Sequence, residues 1–250
     1  MKLIKDIFYT KHNDPMRSLD IYLPDSESFP VFVYFHGGGI EGGDKKSGEK
    51  IWTKLAEDGI CVVNANYRLY PDAVYPEFIR DAASAVGWVK KNISEYGNAT
   101  DIYVGGTSAG GYLSMMLCFD DKYLAPHKMK PTDIKGFFHD AGQPTAHYNV
   151  LRERGIDSRR IIVDESAPLY HICEKEYTNM VFIFSDNDLK NRYEQTMLLK
   201  GALEAFKVPK EKYEFIMMRN STHCSYCKKE TPEGENYLGV MIEKFINKTK

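Results

Sequence analysis

A serine in a glycine-rich turn is the residue of this chain best suited to act as a nucleophile. Ser108 lies in a Gly-x-Ser-x-Gly pattern (106–110) between the apolar run 102–104 and the helix-like run 112–117. Such a turn holds the serine hydroxyl above the sheet edge, and a Cβ at either glycine would collide with the neighbouring strand or helix. The following helix directs its free N–H groups and positive end towards the same point. The pattern therefore predicts nucleophilic catalysis by Ser108.

Three consecutive glycines form a second candidate element. Gly37, Gly38 and Gly39 come shortly after the continuous apolar run 31–35, which is typical of a strand buried on both faces. Glycines cost backbone entropy, so this run indicates a close backbone approach, although a flexible turn is the alternative. In the first interpretation, the N–H groups of Gly38, Gly39 and Ala109 form an oxyanion hole. Each donor in such a hole lowers the reaction barrier by about 3 kcal/mol.

A serine nucleophile needs a base, and His223 is the candidate. In folds that hold the serine in a Gly-x-Ser-x-Gly turn between a strand and a helix, the chain order is serine, acid, histidine. The base is therefore expected well after Ser108. His223 lies in the polar loop 219–224, after the strand-like run 213–218, from which it can reach back over the nucleophile. Four of the seven histidines fall in the middle of the chain, where we expect surface or core roles: His127, His139, His147 and His171.

The orienting acid is expected after the strand-like run 180–184. Two candidates stand there, Asp186 and Asp188. Asp188 is favoured because the usual pattern is a small residue, two variable positions and then the acid. Asp186 is the alternative, and its structural role would be to cap the helix that starts near Asn191. Glutamates 230, 233 and 235 follow the histidine and break the chain order.

The elements that position these residues alternate between strands and helices, which indicates a mostly parallel sheet. Residues 4–9 and 19–23 are expected to form an opening antiparallel pair. Apolar residues at helical spacing from Glu77 to Tyr96 predict an amphipathic helix that ends at Gly97. Further strands are expected at 31–35, 60–64, 101–104, 134–138, 180–184 and 213–218, with helices near 51–56, 191–206 and 238–245.

Composition fits a single globular α/β domain over residues 1–250, with 43% hydrophobic and 27% charged residues. Segments 120–133 and 140–178 are polar, proline-containing and irregular, so we expect them to form a lid and the substrate walls. A formal charge of −2 without a basic tract gives no reason to expect a nucleic acid partner. The N-terminal residues lack the apolar stretch of a signal peptide, and no run reaches the length of a membrane span. A cytoplasmic protein with no membrane association is therefore expected.

Several ordered motifs together resemble α/β-hydrolases of the hormone-sensitive-lipase and feruloyl/acetyl-esterase type, the BD-FAE-like serine esterases. The resemblance covers residues 15–248 and implies an eight-stranded core sheet, no metal or organic cofactor, and hydrolysis of a small-molecule ester through an acyl-enzyme. The matching stretches are 19–24, 36–39, 66–71, 75–76 with the helix residues Asp81, Ala85, Trp88 and Val89, 106–111, and the loops at Asp188 and His223.

Three departures from the family pattern bear on the substrate and on the choice of the acid. Only 35 residues precede His36, which is typical of compact members, and a more open site suits short acyl groups such as acetyl, on carbohydrates or other small alcohols. Ile40 stands where many relatives have an aromatic residue, which weakens the arylformamidase variant that uses Trp there. Ser185 replaces the usual glycine and blurs the choice between the two aspartates.

Five cysteines in a chain without a secretion signal are expected to be free thiols. The sequence His223-Cys224-Ser225-Tyr226-Cys227 is the unusual feature. It offers one histidine and two cysteines to a zinc ion, but no second cluster of ligands is evident, so no metal is expected. A redox pair that modulates the base is a further, less favoured alternative.

The substrate is the least determined part of the site. Four residues of the lid and oxyanion regions are candidates to meet a polar leaving group, although surface roles are equally compatible: Glu41, Gln143, His147 and Tyr148. An amidase or peptidase with the same three catalytic residues is the nearest alternative function. The alternative outside the enzymes is a non-catalytic protein with the same fold that only binds a ligand or a partner. Oligomeric state is not predicted.

Overall fold

Eight strands form one sheet in the computed structural model, which describes residues 1–250. Neighbouring strands at one edge, β1 with β2 and β2 with β4, are antiparallel, and all other neighbours are parallel. The predicted α/β class, the mostly parallel sheet and the antiparallel opening pair are confirmed. In sheet order the strands are β1 (Lys2–Phe8), β2 (Ser18–Leu23), β4 (Cys61–Ala65), β3 (Ser28–Phe35), β5 (Asn98–Thr107), β6 (Gly136–Asp140), β7 (Asn179–Asn187) and β8 (Tyr213–Thr222).

Helices pack on both faces of this sheet because successive side chains of a strand point to opposite sides. The helices are α1 (Glu49–Glu57), α2 (Glu77–Asn92), α3 (Ala109–Phe119), α4 (Tyr148–Glu153), α5 (Arg192–Ala205) and α6 (Tyr237–Thr249). Val31 and Val33 of β3 belong to the core under α2, α3 and α5, whereas Phe32 and Tyr34 belong to the core under α1 and α6. No helix is both long enough and apolar enough to span a bilayer.

The predicted helix over 77–96 is shorter in the structure. Helix α2 ends at Asn92, and the chain continues as a 3₁₀ turn over Ile93–Glu95 before Gly97, whose φ is +154°. The tighter turn still buries Ile93, so the apolar stripe is as expected even though its last turn is not α-helical. Its members Phe78, Ala82, Val86, Val89 and Ile93 are all buried.

The predicted lid segment 120–133 does not lie at the site. It connects the C-terminal end of α3 with the start of β6, and it contains two 3₁₀ turns at Ala125–His127 and Pro131–Asp133. Ser108 stands at the other end of α3, a helix of 11 residues, which is about 16 Å long. The segment therefore lies near the end of the parallel strands opposite to the end where Ser108 stands. Only the second predicted segment, 140–178, contacts the residues around the nucleophile.

Two of the buried histidines, His139 and His147, have strongly lowered pKa values. His139 lies among Phe119, Phe137 and Phe182, and its Nδ1 is 2.9 Å from Ser114 Oγ. The ring of His147 is tilted against those of Tyr112 and Tyr148, with centroid distances of 5.1 and 4.4 Å. Burial lowers the pKa of each imidazole from 6.5 to about 3, because the charged form loses its hydration. Both side chains are therefore neutral at ordinary pH.

These depressed pKa values predict loss of stability in mild acid. Below pH 6.5 the unfolded chain binds two protons that the folded protein excludes, so the free energy of unfolding falls as the pH drops towards 3. Each histidine contributes about 1.4 kcal/mol per pH unit, or about 2 kcal/mol at pH 5. Urea titrations of the wild type and His139→Phe at pH 7 and pH 5 measure this change. The variant should lose about 2 kcal/mol less stability than the wild type between the two pH values, and an equal loss would contradict the assignment.

Candidate active site

The nucleophile turn is built from β5 and α3. Ser108 joins them with φ +56° and ψ −110°, a conformation that a non-glycine residue adopts only under strain. The turn is close to its neighbours: a Cβ at Gly110 would lie 1.9 Å from the Phe35 carbonyl oxygen, and one at Gly106 would lie 2.5 Å from Gly110. The two glycines of the pattern therefore allow backbone to pack on backbone, which lifts the Ser108 side chain from the sheet edge.

Three side chains that are distant in sequence meet at this turn. Ser108 Oγ is 2.8 Å from His223 Nε2, and His223 Nδ1 is 2.6 Å from Asp188 Oδ1. The Asp188 side chain is almost completely buried and also accepts a hydrogen bond from the Leu189 N–H at 2.6 Å. This is the geometry of a nucleophile, a base and an orienting acid.

The other candidate acid, Asp186, has a different position. Its carboxylate is exposed and accepts hydrogen bonds from the backbone N–H groups of Asn220 at 2.8 Å and Ser221 at 3.1 Å. It therefore fixes the end of β8, from which the loop of His223 departs. The alternative role suggested by the sequence, a cap for α5, is wrong because Asn191 occupies the position before that helix and makes no side-chain cap bond.

The glycine loop packs directly against the nucleophile turn. A Cβ at Gly37 would be 3.0 Å from the Thr107 carbonyl oxygen and 3.3 Å from Ser108 Cβ. Gly38 and Gly39 have φ values of +123° and +67°, and their N–H groups make no hydrogen bond within the protein. Ala109 is the first residue of α3, so its N–H has no acceptor inside the helix. The loop that carries the two free glycine donors is therefore next to the turn of Ser108.

Of the four predicted substrate contacts, only Tyr148 is at the site with an unengaged polar group. A Cβ added to Gly39 would lie only 1.9 Å from the Tyr148 hydroxyl, so this hydroxyl packs directly against the glycine. The hydroxyl makes no hydrogen bond within the protein. The neighbouring Asn149 donates to the Gly39 carbonyl oxygen at 3.0 Å. Helix α4 thus holds the oxyanion loop from one side, with the Tyr148 hydroxyl against it.

Two of the remaining predicted contacts gain no support from the structure, because their side chains are buried. Gln143 is buried, where its amide donates to Ala146 and accepts from Arg192 and from the Tyr148 N–H. His147 is buried as well, and its Nδ1 accepts from the Asn149 N–H at the start of α4. Both shape the segment that carries Tyr148 rather than facing a ligand.

Glu41 is at the surface. Its carboxylate pairs with Arg152 at 2.7 Å, and both side chains are well exposed. This ion pair links the loop after Gly39 to helix α4. An exposed pair of this kind contributes little free energy, so a substrate contact by Glu41 gains no support from its position.

Asp140 is a residue at the site that the sequence analysis did not identify. Its carbonyl oxygen accepts from the Ser108 N–H at 2.7 Å, and its buried carboxylate accepts from Thr107 Oγ1 at 2.6 Å and from the Tyr226 hydroxyl. It therefore lies beneath the nucleophile turn and links it to the segment after His223. The available signal was an acid at the carboxyl end of β6, the strand next to β5, where parallel sheets place functional residues.

Cys224 and Cys227 are free and half-buried. The zinc alternative used His223 as a ligand, but both ring nitrogens of His223 are engaged by Ser108 and Asp188. The ligand atoms that the structure brings within 4.8 Å of one another are those of Asp140, Cys224 and Cys227. The absence of a cofactor stays a prediction.

The charges around the triad act on its protonation. Burial lowers the pKa of His223, but the hydrogen bond to Asp188 and the adjacent Cys224 thiol outweigh it and raise the value to about 9. Burial raises the pKa of Asp188, yet the contact with His223 holds it below its usual range. Asp188 is therefore a carboxylate in the resting protein, and it stabilises the imidazolium that forms when His223 takes up a proton.

Solved structures share this fold along the whole chain. A carbohydrate esterase from gut microbiota, solved in truncated form, superposes with a TM-score of 0.80 over 100% of this chain and 96% of that one, at 18% sequence identity. At this level of identity the likeness establishes the fold, which is that of the α/β-hydrolases.

Curated relatives match less than half of the chain. A probable carboxylic ester hydrolase, LipM of Mycobacterium tuberculosis, is 38% identical over 107 residues, which are 42% of this chain and 24% of that protein. The probable isoprenylcysteine alpha-carbonyl methylesterase ICMEL2 of Arabidopsis thaliana is 34% identical over 119 residues, or 46% and 28% of the two chains. The match thus spans about a quarter of the length of these relatives.

The family comparison covers the strands and loops that carry the oxyanion glycines and the nucleophile. The model of the BD-FAE family matches residues 19–150, which include Gly38, Gly39, Ser108 and Asp140. This is more than half of the chain. The protein belongs to the BD-FAE family and has the α/β-hydrolase fold.

Proposed function

We propose that this protein is a serine carboxylesterase that hydrolyses esters of short acyl groups, such as acetyl esters of carbohydrates, through an acyl-enzyme. The observation that carries the proposal is the chain of two hydrogen bonds from Ser108 through His223 to Asp188. The glycine loop with the free N–H groups of Gly38 and Gly39 packs against the turn of Ser108. Membership of the BD-FAE family and the ester-hydrolase names of the relatives support the reaction class.

In the proposed mechanism, His223 Nε2 removes the proton from Ser108 Oγ as the oxygen attacks the ester carbonyl. Asp188 keeps Nδ1 of the imidazole protonated and stabilises the imidazolium. The N–H groups of Gly38, Gly39 and Ala109 donate to the oxyanion, and His223 then protonates the leaving alcohol. Water, deprotonated by the same histidine, releases the acid and restores Ser108.

The acyl preference is inferred from the crowding of the oxyanion loop. The Tyr148 hydroxyl packs against Gly39, so the aromatic ring occupies space beside the position proposed for the ester carbonyl. A small acyl group fits beside it more readily than a long one. The carbohydrate part of the proposal rests on the likeness of the fold to the carbohydrate esterase from gut microbiota.

A panel of matched substrates tests the proposal. We expect kcat/KM for p-nitrophenyl acetate to exceed that for the octanoate ester and for the corresponding acetanilide. An acetylated xylo-oligosaccharide should release acetate, whereas its methyl-ether analogue should not react. Preferential cleavage of the anilide, or the absence of any ester hydrolysis by folded protein, would contradict the proposed activity.

Replacing Tyr148 by Ala is expected to shift the acyl preference towards longer chains. Removal of the ring vacates the space beside Gly39, so the ratio of kcat/KM for the butyrate ester to that for the acetate should rise by about tenfold, the effect of relieving contact with one or two methylenes. Tyr148→Phe keeps the ring and serves as the matched control. An unchanged ratio in the alanine variant would show that the acyl group lies elsewhere.

The rate should rise with pH in the alkaline range. Only neutral His223 accepts the Ser108 proton, and its pKa is about 9, so kcat/KM is lost as the pH falls through that value. Because the Cys224 thiol contributes to the raised value, Cys224→Ser should move the ascending limb to lower pH. The ordinary pKa of a histidine is 6.5. An ascending limb of the wild-type pH–rate profile centred below this value would contradict the proposed effect of Asp188 and Cys224 on His223.

A further inference from the structure

Two cysteines enclose the turn that directly follows His223. Cys224 and Cys227 form a Cys-x-x-Cys motif, in which the N–H of Cys227 donates to the Cys224 carbonyl oxygen at 3.1 Å. Their sulfur atoms and a carboxylate oxygen of Asp140 lie within 4.8 Å of one another, and both thiols are free. A small local movement is therefore enough to bring the sulfurs to the disulfide distance of about 2 Å.

The two thiols differ in their surroundings. Interaction with Cys227 lowers the pKa of Cys224 against the opposing effect of burial, and the neighbouring His223 lowers it further. Interaction with Cys224, burial and the Asp140 carboxylate raise the pKa of Cys227, whose Sγ lies 3.5 Å from Asp140 Oδ2. Cys224 is thus the more nucleophilic sulfur, while Cys227 retains a proton that Asp140 can accept.

Both cysteines are connected to the catalytic groups. Cys224 is bonded to His223 through one peptide and has φ +55°, so a displacement of its Cα moves the histidine. Cys227 contacts the Asp140 carboxylate, which also holds Thr107, and the Asp140 carbonyl oxygen accepts from the Ser108 N–H. A change in the bonding of this pair therefore reaches the base and the nucleophile by two separate routes.

We propose that Cys224 and Cys227 are a second reactive site, at which a low-molecular-weight disulfide oxidises the pair to an intramolecular disulfide that disables the neighbouring Ser108–His223–Asp188 triad. The effect on catalysis rests on the proposed esterase function. Formation of the disulfide does not depend on that function.

The reaction is a double thiol–disulfide exchange. The Cys224 thiol loses its proton to water, and the resulting thiolate attacks one sulfur of the external disulfide. This forms a mixed disulfide and expels one external thiolate, which takes up a proton from water. Cys227 passes its proton to Asp140 and attacks Cys224 Sγ, which forms the internal bond and expels the second thiolate, and this thiolate takes the proton from Asp140. Two protein thiols are oxidised and one external disulfide is reduced to two thiols.

The internal bond draws Cys224 towards Cys227 and away from its present place beside His223. A displacement of the imidazole by about 1 Å is enough to lower a rate about a hundredfold, because proton transfer depends on close alignment. We therefore expect esterase activity to fall about tenfold to a hundredfold in the oxidised protein and to return on reduction.

Treatment of the full chain with 4,4′-dithiodipyridine in the presence of a chelator tests the proposal, because the chelator excludes inhibition by bound metal. Peptide mass spectrometry should find Cys224 linked to Cys227, with the loss of two hydrogen atoms, while activity falls and dithiothreitol restores it. In Cys227→Ser the first step alone occurs, so a pyridyl adduct should remain on Cys224.

Variants separate this site from the other thiols. The double variant Cys224→Ser/Cys227→Ser should keep its activity during the treatment, and Cys173→Ser, which removes an exposed cysteine elsewhere, should respond as the wild type does. Circular dichroism and thermal melting establish that each variant is folded. A wild type in which Cys173 reacts but Cys224 and Cys227 stay reduced would overturn the proposal. A linked pair with unchanged activity would overturn its catalytic part, and mass spectrometry still reports the link if no ester is hydrolysed.

Discussion

Replacement of Ser108 by Ala is expected to abolish turnover of p-nitrophenyl acetate, with kcat reduced by about 10⁴- to 10⁶-fold. Ser108 Oγ lies within hydrogen-bond distance of His223 Nε2, at 2.8 Å. Alanine removes this oxygen, which is the atom proposed to attack the carbonyl. The free N–H groups of Gly38 and Gly39 remain in the variant, so a small residual rate above that of buffer is also expected.

The structural effect of this change should be small. Alanine fits the same positive φ as poorly as serine does, and the Ser108 N–H keeps its bond to the Asp140 carbonyl oxygen. The melting temperature should therefore match that of the wild type. A folded Ser108→Ala variant that hydrolyses the ester at the wild-type rate would contradict the assignment of the nucleophile.

Replacement of Asp188 by Asn is expected to lower kcat by about 10⁴-fold. The amide keeps the size of the side chain but loses the charge that stabilises the imidazolium, and it no longer selects the tautomer with a proton on Nδ1. Removing the same carboxylate also removes a contribution to the raised pKa of His223, so the ascending limb of the pH–rate profile should move to lower pH.

Asp186→Asn is the matched control for this prediction. The two aspartates are separated by one residue, but Asp186 binds the backbone N–H groups of Asn220 and Ser221 and not the histidine. The asparagine oxygen can accept one of these bonds, so we expect less than a tenfold loss of kcat. A larger loss in Asp186→Asn than in Asp188→Asn would reverse the assignment of the acid.

The parts of the molecule that could be predicted from the sequence are those with a strong local signal. Buried strands such as β3 read as continuous apolar runs, and α2 has an apolar stripe at helical spacing. The nucleophile turn and the oxyanion loop carry glycines at fixed positions because backbone packs on backbone there, as at Gly110 against Phe35. The order of the three catalytic residues follows from the order of strands, so Asp188 and His223 could be placed as well.

The remaining parts depend on contacts between distant segments. Gln143 and His147 are polar residues of an irregular region, and nothing in their local sequence shows that Arg192 and Tyr148 enclose them. Asp140 gains its role from Thr107, Ser108 and Tyr226, which lie up to 86 residues away. Segment 120–133 has the composition of a lid, but the length of α3 carries it away from Ser108.

Labelling with a fluorophosphonate probe tests the central claim most directly, because the probe reacts only with a serine that an adjacent base has activated. We expect one covalent adduct, located on Ser108 by peptide mass spectrometry, in the wild type. The adduct should be lost in Ser108→Ala and should form much more slowly in His223→Ala. Folded wild-type protein that stays unlabelled, or that carries the adduct on a different serine, would contradict the account.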